Sequence, residues 1–303
     1  MSPYRTVFVF PAFSGDYEGH PAAGLRGFER LFRDRLLQAA EAEDDVLAAF
    51  DFKTNTFAGD PLRTQFLTYV YSIAAAGLLR ENGWRPTFNA GYSMGLYAAL
   101  ADAGSIDFPT GLTMIRLAYK ALLEAAGDTA YGMGSVIGLD HDDLLNLIRQ
   151  KDLRAEIVNQ NADHSFVVAG TQTEVVTLLA LAREEGALNT RLMDVAIPYH
   201  AGCMQDAAGR FSKAADALDV AAPTIPVVSL VDQSLITTAR AVKSELHRNL
   251  FHPLNWMVTM KTLSDLGTER FLEVGNSKGL ARNARFTGTG HQFHSLDALP
   301  SLV

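Results

Sequence analysis

Gly91-Tyr92-Ser93-Met94-Gly95 fits the pattern G-x-S-x-G. Glycines on both sides of a serine are what a sharp, strained strand-to-helix turn needs, and such a turn holds the hydroxyl clear of the backbone as a nucleophile. The N–H of Met94, at the head of the following helix, is placed to stabilise an oxyanion, and a second donor must come from another loop. A serine hydroxyl is a poor nucleophile near neutral pH without a base in hydrogen-bond reach. Eight histidines compete for that role: His20, His141, His164, His200, His247, His252, His291 and His294. His200 stands out by position, because it follows Pro198 just where the chain returns from a small unit to a larger one and a crevice between them is expected. No metal-ligand spacing is present: His247 and His252 are separated across a helix end with no cysteine or acidic cluster beside them.

The elements that must hold these residues can be read from the pattern. Thr6-Val-Phe-Val-Phe10 is a β-branched and aromatic run closed by Pro11, a buried strand that ends in a loop. Residues 24–49 and 64–80 carry apolar side chains at helical spacing. Residues 86–90 form a strand leading into the glycine-flanked serine, and the alanine-rich stretch 96–103 forms the helix after it. From about residue 132 to 194 the pattern reads strand, helix, strand, strand, helix, strand: residues 134–139, 141–151, 155–159, 166–169, 173–186 and 190–195. That order is the split βαβ arrangement of ferredoxin-like domains, which predicts a four-stranded antiparallel sheet with two helices on one face. Helices at 204–218, 238–250 and 254–266 and strands at 226–230 and 268–274 then resume the larger unit. The expectation is an α/β protein: a main domain with a parallel sheet, made of residues 1–130 and 197–303, and an inserted small domain at 131–196.

Composition excludes several classes. The chain has 303 residues, 48% of them hydrophobic and 20% charged, the balance of a folded protein with a sizeable core. With 26 Lys plus Arg against 34 Asp plus Glu, the net charge of −8 provides no field for a nucleic-acid backbone. The apolar runs are shorter than the roughly 20 residues that span a bilayer, so no membrane segment is expected. The lone cysteine, Cys203, cannot form an intramolecular disulfide, and no signal sequence opens the chain, which points to a reducing cytoplasmic setting. A monomer is the favoured state.

Several stretches together carry a family resemblance. Gly91–Gly95 with Tyr97-Ala-Ala-Leu100, Gly104-Ser-Ile-Asp-Phe108, Asn161 followed by Val167-Val-Ala-Gly170, Ile197-Pro-Tyr-His200, Phe251-His-Pro-Leu-Asn-Trp256 and Leu272-Glu-Val-Gly275 resemble, in order and spacing, the malonyl-CoA:acyl carrier protein transacylases over nearly the whole chain. The resemblance implies an α/β-hydrolase-like main domain with a ferredoxin-like insertion. It also implies ping-pong transfer of an acyl group between coenzyme A and the phosphopantetheine thiol of an acyl carrier protein, with no further cofactor. By the same resemblance Ser93 carries the acyl ester, His200 is the base, the backbone carbonyl of Asn249 orients its imidazole, and Gln65 and Tyr199 lie near the acyl group.

Departures from that family bear on specificity. Its first loop reads G-Q-G-S-Q, where this chain has Ala12-Phe-Ser-Gly-Asp16, although the backbone N–H of Phe13 can still complete the oxyanion hole. Tyr92 stands in place of a histidine and Leu96 in place of an acidic residue. Most importantly, Ala118 occupies the position of the arginine whose fork holds a malonyl carboxylate. Arg116 and Lys120 are each two residues away, about 200° around a helix, and cannot readily substitute. The expectation is an uncharged acyl group in a pocket made deeper at Ala118 and walled by Tyr92 and Tyr199. Two other readings stay open at this level: an acyl-thioester hydrolase using the same Ser–His pair, and a non-catalytic module that binds acyl-CoA or a carrier protein. A third, a full Ser–Asp–His hydrolase, would need Asp232 with His291 or His294.

Overall fold

The computed structural model describes residues 5–13, 22, 24–54, 57, 59–284 and 292–301. Ser14, Gly15, Asp16, His20, Arg285 and His291 lie outside the described residues.

Strand β1 (Thr6–Phe10) is buried along its whole length because it is central to a sheet covered on both faces. It pairs in parallel with β10 (Arg270–Glu273) on one side and β2 (Phe88–Gly91) on the other. Strand β11 (Gln292–Ser295) extends the sheet beyond β10 and β7 (Val227–Val228) beyond β2, both in parallel. The alternation along β1 splits the interior in two. Phe8 and Phe10 enter a core built with α1 (Phe28–Ala42), α2 (Pro61–Glu81), α3 (Gly95–Asp102), α4 (Phe108–Ala126), α7 (Gln205–Ala215) and α8 (Ala239–Arg248). Val7 and Val9 face the opposite core, which α9 (Trp256–Asp265) and α10 (Gly279–Asn283) complete. Side-chain caps start α2 and α4: the Asp60 carboxylate accepts from the Arg63 N–H at 3.0 Å, with Pro61 in the first turn of α2, and Asp107 accepts from Thr110 N–H at 2.8 Å to begin α4.

The second sheet contains β3 (Tyr131–Ile137), β4 (Glu156–Ala162), β5 (Ser165–Thr171) and β6 (Asn189–Leu192), antiparallel wherever they pair. Helices α5 (His141–Gln150) and α6 (Gln172–Glu184) cover it through a core that includes Val136, Leu144, Phe166, Val175 and Leu178.

Two expectations require correction. The second sheet has five strands rather than four, because β9 (Leu254–Asn255) pairs in parallel with β4, Asn159 opposite Leu254 and Gln160 opposite Asn255. The helix expected from residue 254 therefore begins at Trp256, with the Asn255 side chain capping Val258 N–H at 2.9 Å. The main sheet is not wholly parallel either: β8 (Leu235–Ile236) turns back antiparallel to β7, and the strand expected over 226–230 shrinks to two residues.

Candidate active site

The serine turn is built by steric necessity. A Cβ on Gly91 would lie 2.4 Å from the Leu96 Cα, and one on Gly95 would lie 2.0 Å from the Phe10 carbonyl oxygen, so the turn packs against its own helix and against β1 only if both residues are glycine. Ser93 itself has φ of 54°, in the left-handed region where a non-glycine residue is held under strain. His200 is in the same region at φ 66° and is pinned there by its N–H to the Leu250 carbonyl at 3.1 Å.

The strained pair meets. Ser93 Oγ and His200 Nε2 are 2.7 Å apart, and His200 Nδ1 lies 2.6 Å from the Asn249 carbonyl oxygen. A carbonyl only accepts, so Nδ1 carries the proton and Nε2 is left free to accept the serine hydroxyl proton. The Asn249 side-chain amide also donates to the Ser93 carbonyl at 3.3 Å, so one residue at the end of α8 grips both partners. Burial of His200 pulls its imidazole down to about 4, against a smaller opposing effect of the Asn249 carbonyl. At neutral pH the ring is therefore an unprotonated base.

Tyr92 is anchored by its hydroxyl to the second sheet. Its hydroxyl donates to Asn161 Oδ1 at 2.8 Å and accepts from the Asn159 amide, and its ring meets Trp256 edge-on at 5.5 Å. Burial raises its phenol to about 12. Asn159 and Asn161 lie on β4, so this network ties the serine turn to the second sheet. Sequence reasoning did not single out Asn159, and its contact with Tyr92 has no local signature, spanning 67 positions of chain.

A cavity of about 150 Å³ opens beside Ser93 and His200. Phe13, Tyr92 and Tyr199 border it together with Met133, Val158 and Val167 of the second sheet, and among the described residues no lysine, arginine, aspartate or glutamate lines it. Gln65 is buried and donates to the Tyr199 hydroxyl at 3.2 Å, fixing that ring rather than facing the cavity. Met94 is the residue after the nucleophile and Phe13 sits on the loop after β1, so the two backbone segments named for the oxyanion hole flank the turn.

Ala118 departs from expectation. It is fully buried in the core between α4 and its neighbours and does not line the cavity at Ser93, so no deeper pocket opens there: the side chains packed around α4 close over the small residue. Arg116 and Lys120 point elsewhere, Arg116 to Glu43 just after α1 at 2.5 Å and Lys120 to Glu124 at 3.9 Å. Asp232 is held by Arg248 at 2.5 Å and by Ser234, and His294 lies on β11, three strands from β2, so the Ser–Asp–His alternative has no geometry to support it. His247 is engaged by Ser212 at 2.9 Å. Among the described residues no three His, Cys, Asp or Glu side chains group to hold a metal, and no helix is long and apolar enough to cross a membrane.

No family model matches the chain. It is, however, 30% identical over 283 residues to the malonyl CoA-acyl carrier protein transacylase of Salmonella typhimurium, covering 90% of both chains. It is 28% identical over 294 residues to the enzyme of the same name from Bacillus subtilis, covering 91% of this chain and 88% of that one. A polyketide biosynthesis protein, ThaF of Burkholderia thailandensis, is 32% identical over 277 residues, 89% of this chain and 23% of the relative. The solved malonyl-CoA:acyl carrier protein transacylase of Xanthomonas oryzae superposes with a TM-score of 0.90 at 26% identity, over 100% of this chain and 98% of that one. Fold and relatives together define an acyltransferase. The chain belongs to the malonyl CoA-acyl carrier protein transacylase family.

Proposed function

We propose that this protein moves an uncharged acyl group between coenzyme A, or a carrier protein, and the phosphopantetheine thiol of an acyl carrier protein, through an ester on Ser93. The carrying observation is the hydrogen-bonded line from Ser93 Oγ through His200 to the Asn249 carbonyl. In the first half-reaction Ser93 Oγ attacks the thioester carbonyl as His200 Nε2 takes its proton. The N–H groups of Phe13 and Met94 hold the oxyanion, and its collapse expels the thiolate, which receives the proton from Nε2. The acceptor thiol then gives its proton to His200, attacks the ester and releases Ser93. The reading assigns residues 131–196 to an inserted small domain and the remainder to the main domain, with the dyad in the crevice between them.

Specificity for a neutral group rests on the lack of a lysine or arginine among the described residues that line the cavity. A malonyl carboxylate buried there without a partner would cost several kcal/mol. The relatives that match are named for malonyl transfer or for polyketide biosynthesis, which fits a role in fatty-acid or polyketide assembly.

Intact-protein mass spectrometry after incubation with acetyl-, butyryl- and malonyl-CoA tests the proposal. The expected result is an acyl adduct from the neutral thioesters that is absent in Ser93→Ala, slowed by orders of magnitude in His200→Ala, and retained until a carrier thiol is added. Equal labelling of wild type and Ser93→Ala sinks the assignment. Malonyl loading as fast as acetyl overturns the neutral specificity, and an adduct that decays without acceptor makes the enzyme a thioester hydrolase.

A further inference from the structure

The cavity at Ser93 is small. At about 150 Å³ it matches the size of site that accommodates a six-carbon ring. A second cavity of about 400 Å³ lies directly beyond it, and Phe13, Val195 and Tyr199 line both. The two spaces therefore share a wall made largely of the Phe13 and Tyr199 rings, whose centroids are 6.0 Å apart and tilted. The Gln65 amide latches the tyrosine hydroxyl at 3.2 Å.

Ile197 and Tyr119 join the shared wall of the second cavity, and among the described residues Asp60 and Asp194 are its charged lining groups. Its carboxylates disfavour a phosphate or a second carboxylate. Arg63, next in sequence to the lining residue Thr64, is already committed to Asp44 at 2.7 Å and Asp60 at 3.2 Å. The donor thioester and the acceptor thiol both bring phosphate on their pantetheine arm, so this space suits the other end of the substrate.

We infer that the cavity beyond Tyr199 is a subsite for the distal part of a neutral, medium-length acyl chain, and that the Phe13–Tyr199 pair is the door between it and Ser93. This rests on the Ser93 ester proposed above. Short acyl groups fit in front of the door, and longer ones displace the Tyr199 ring from its Gln65 latch and thread into the second space.

The test compares octanoyl-CoA with acetyl-CoA by the rate of adduct formation on Ser93. Wild type is expected to load both. Thr64→Trp, which fills the second cavity from the start of α2, should lower the octanoyl-to-acetyl ratio about tenfold or more, as pocket-filling changes do. Leu123→Trp fills it from α4 at a half-exposed position where folding is little at risk, and should act in the same direction. Tyr199→Phe, which keeps the ring and removes the latch, should raise the ratio several-fold. A ratio unmoved by both tryptophans, or no octanoyl loading by wild type while acetyl loads, overturns the subsite. Failure of acetyl loading itself would instead strike the proposed function.

Discussion

Burial of His200 sets the pH range over which Ser93 can be activated. An exposed imidazole would gain its proton near 6.5, whereas this one gains it at about 4. Acylation rates followed by rapid quench should therefore stay level from pH 8 down to about 5.5 and fall only below pH 5. An inflection near 6.5 would show that the ring is more solvated than its burial indicates. The same depressed pKa links to stability: the unfolded chain binds the proton first on acidification, so the contribution is complete above pH 6.5 and drains away as pH falls toward 4. At this scale the sequence was informative where a residue's neighbours in the chain determine its role. Ser93 announces itself through glycines two positions away on either side and His200 through its place at a re-entry point. Gln65 and Asn159 do not, because their partners Tyr199 and Tyr92 are 134 and 67 positions away and nothing in a local pattern encodes such pairs. Ala118 shows the opposite limit: counting along a helix located the residue, yet what fills the space beside it depends on packing from other elements.

Among the elements, the turn between β2 and α3 tolerates the least change. Gly95→Ala drives a methyl group into the Phe10 carbonyl, backbone against backbone, and should cost more than about 3 kcal/mol or prevent folding. Gly209→Ala is the informative contrast. It lies exposed within α7 with no atom near the added methyl, and should gain about 0.5–1 kcal/mol from helix propensity. Chemical denaturation midpoints of the two variants check both signs, and similar losses in each would mean that the steric reading of Gly95 is wrong. Long elements were legible for a plain reason: β1 is a β-branched and aromatic run, and α5 and α7 have one-sided patterns. Strands β8 and β9 were not, since two residues carry no period and only pairing with a distant partner makes them strands.

For the molecule as a whole, a net charge of −8 makes approach of an acidic carrier protein depend on local basic surface. Two clusters are available. Arg149, Lys151 and Arg154 surround the end of α5, with Arg149 and Lys151 exposed, while Lys278 and Arg282 lie at α10, where Lys278 is already paired with Asp297 at 2.5 Å. The first cluster is the freer one. Charge reversal there should slow transfer to the carrier and flatten its salt dependence, leaving acyl-CoA loading less affected, and reversal at α10 should do less. Transfer kinetics at low and high salt that were identical in all variants would rule out both surfaces.

Strand β9 has a consequence for recombination between relatives. Its two residues leave the main sheet's neighbourhood through the Asn255 N–H to the Leu230 carbonyl at 2.9 Å, and complete the second sheet through β4 and the Asn255 amide to Gln160 at 3.2 Å. Trp256, the next residue, packs on Tyr92. Residues 131–196 are thus not a self-sufficient cassette. A graft cut at those borders would set a foreign β4 against a native β9, and would separate Asn159 and Asn161 from the Tyr92 and Trp256 they were selected beside. Chimeras that carry Tyr92 and residues 249–256 along with residues 131–196 keep that seam within a single parent.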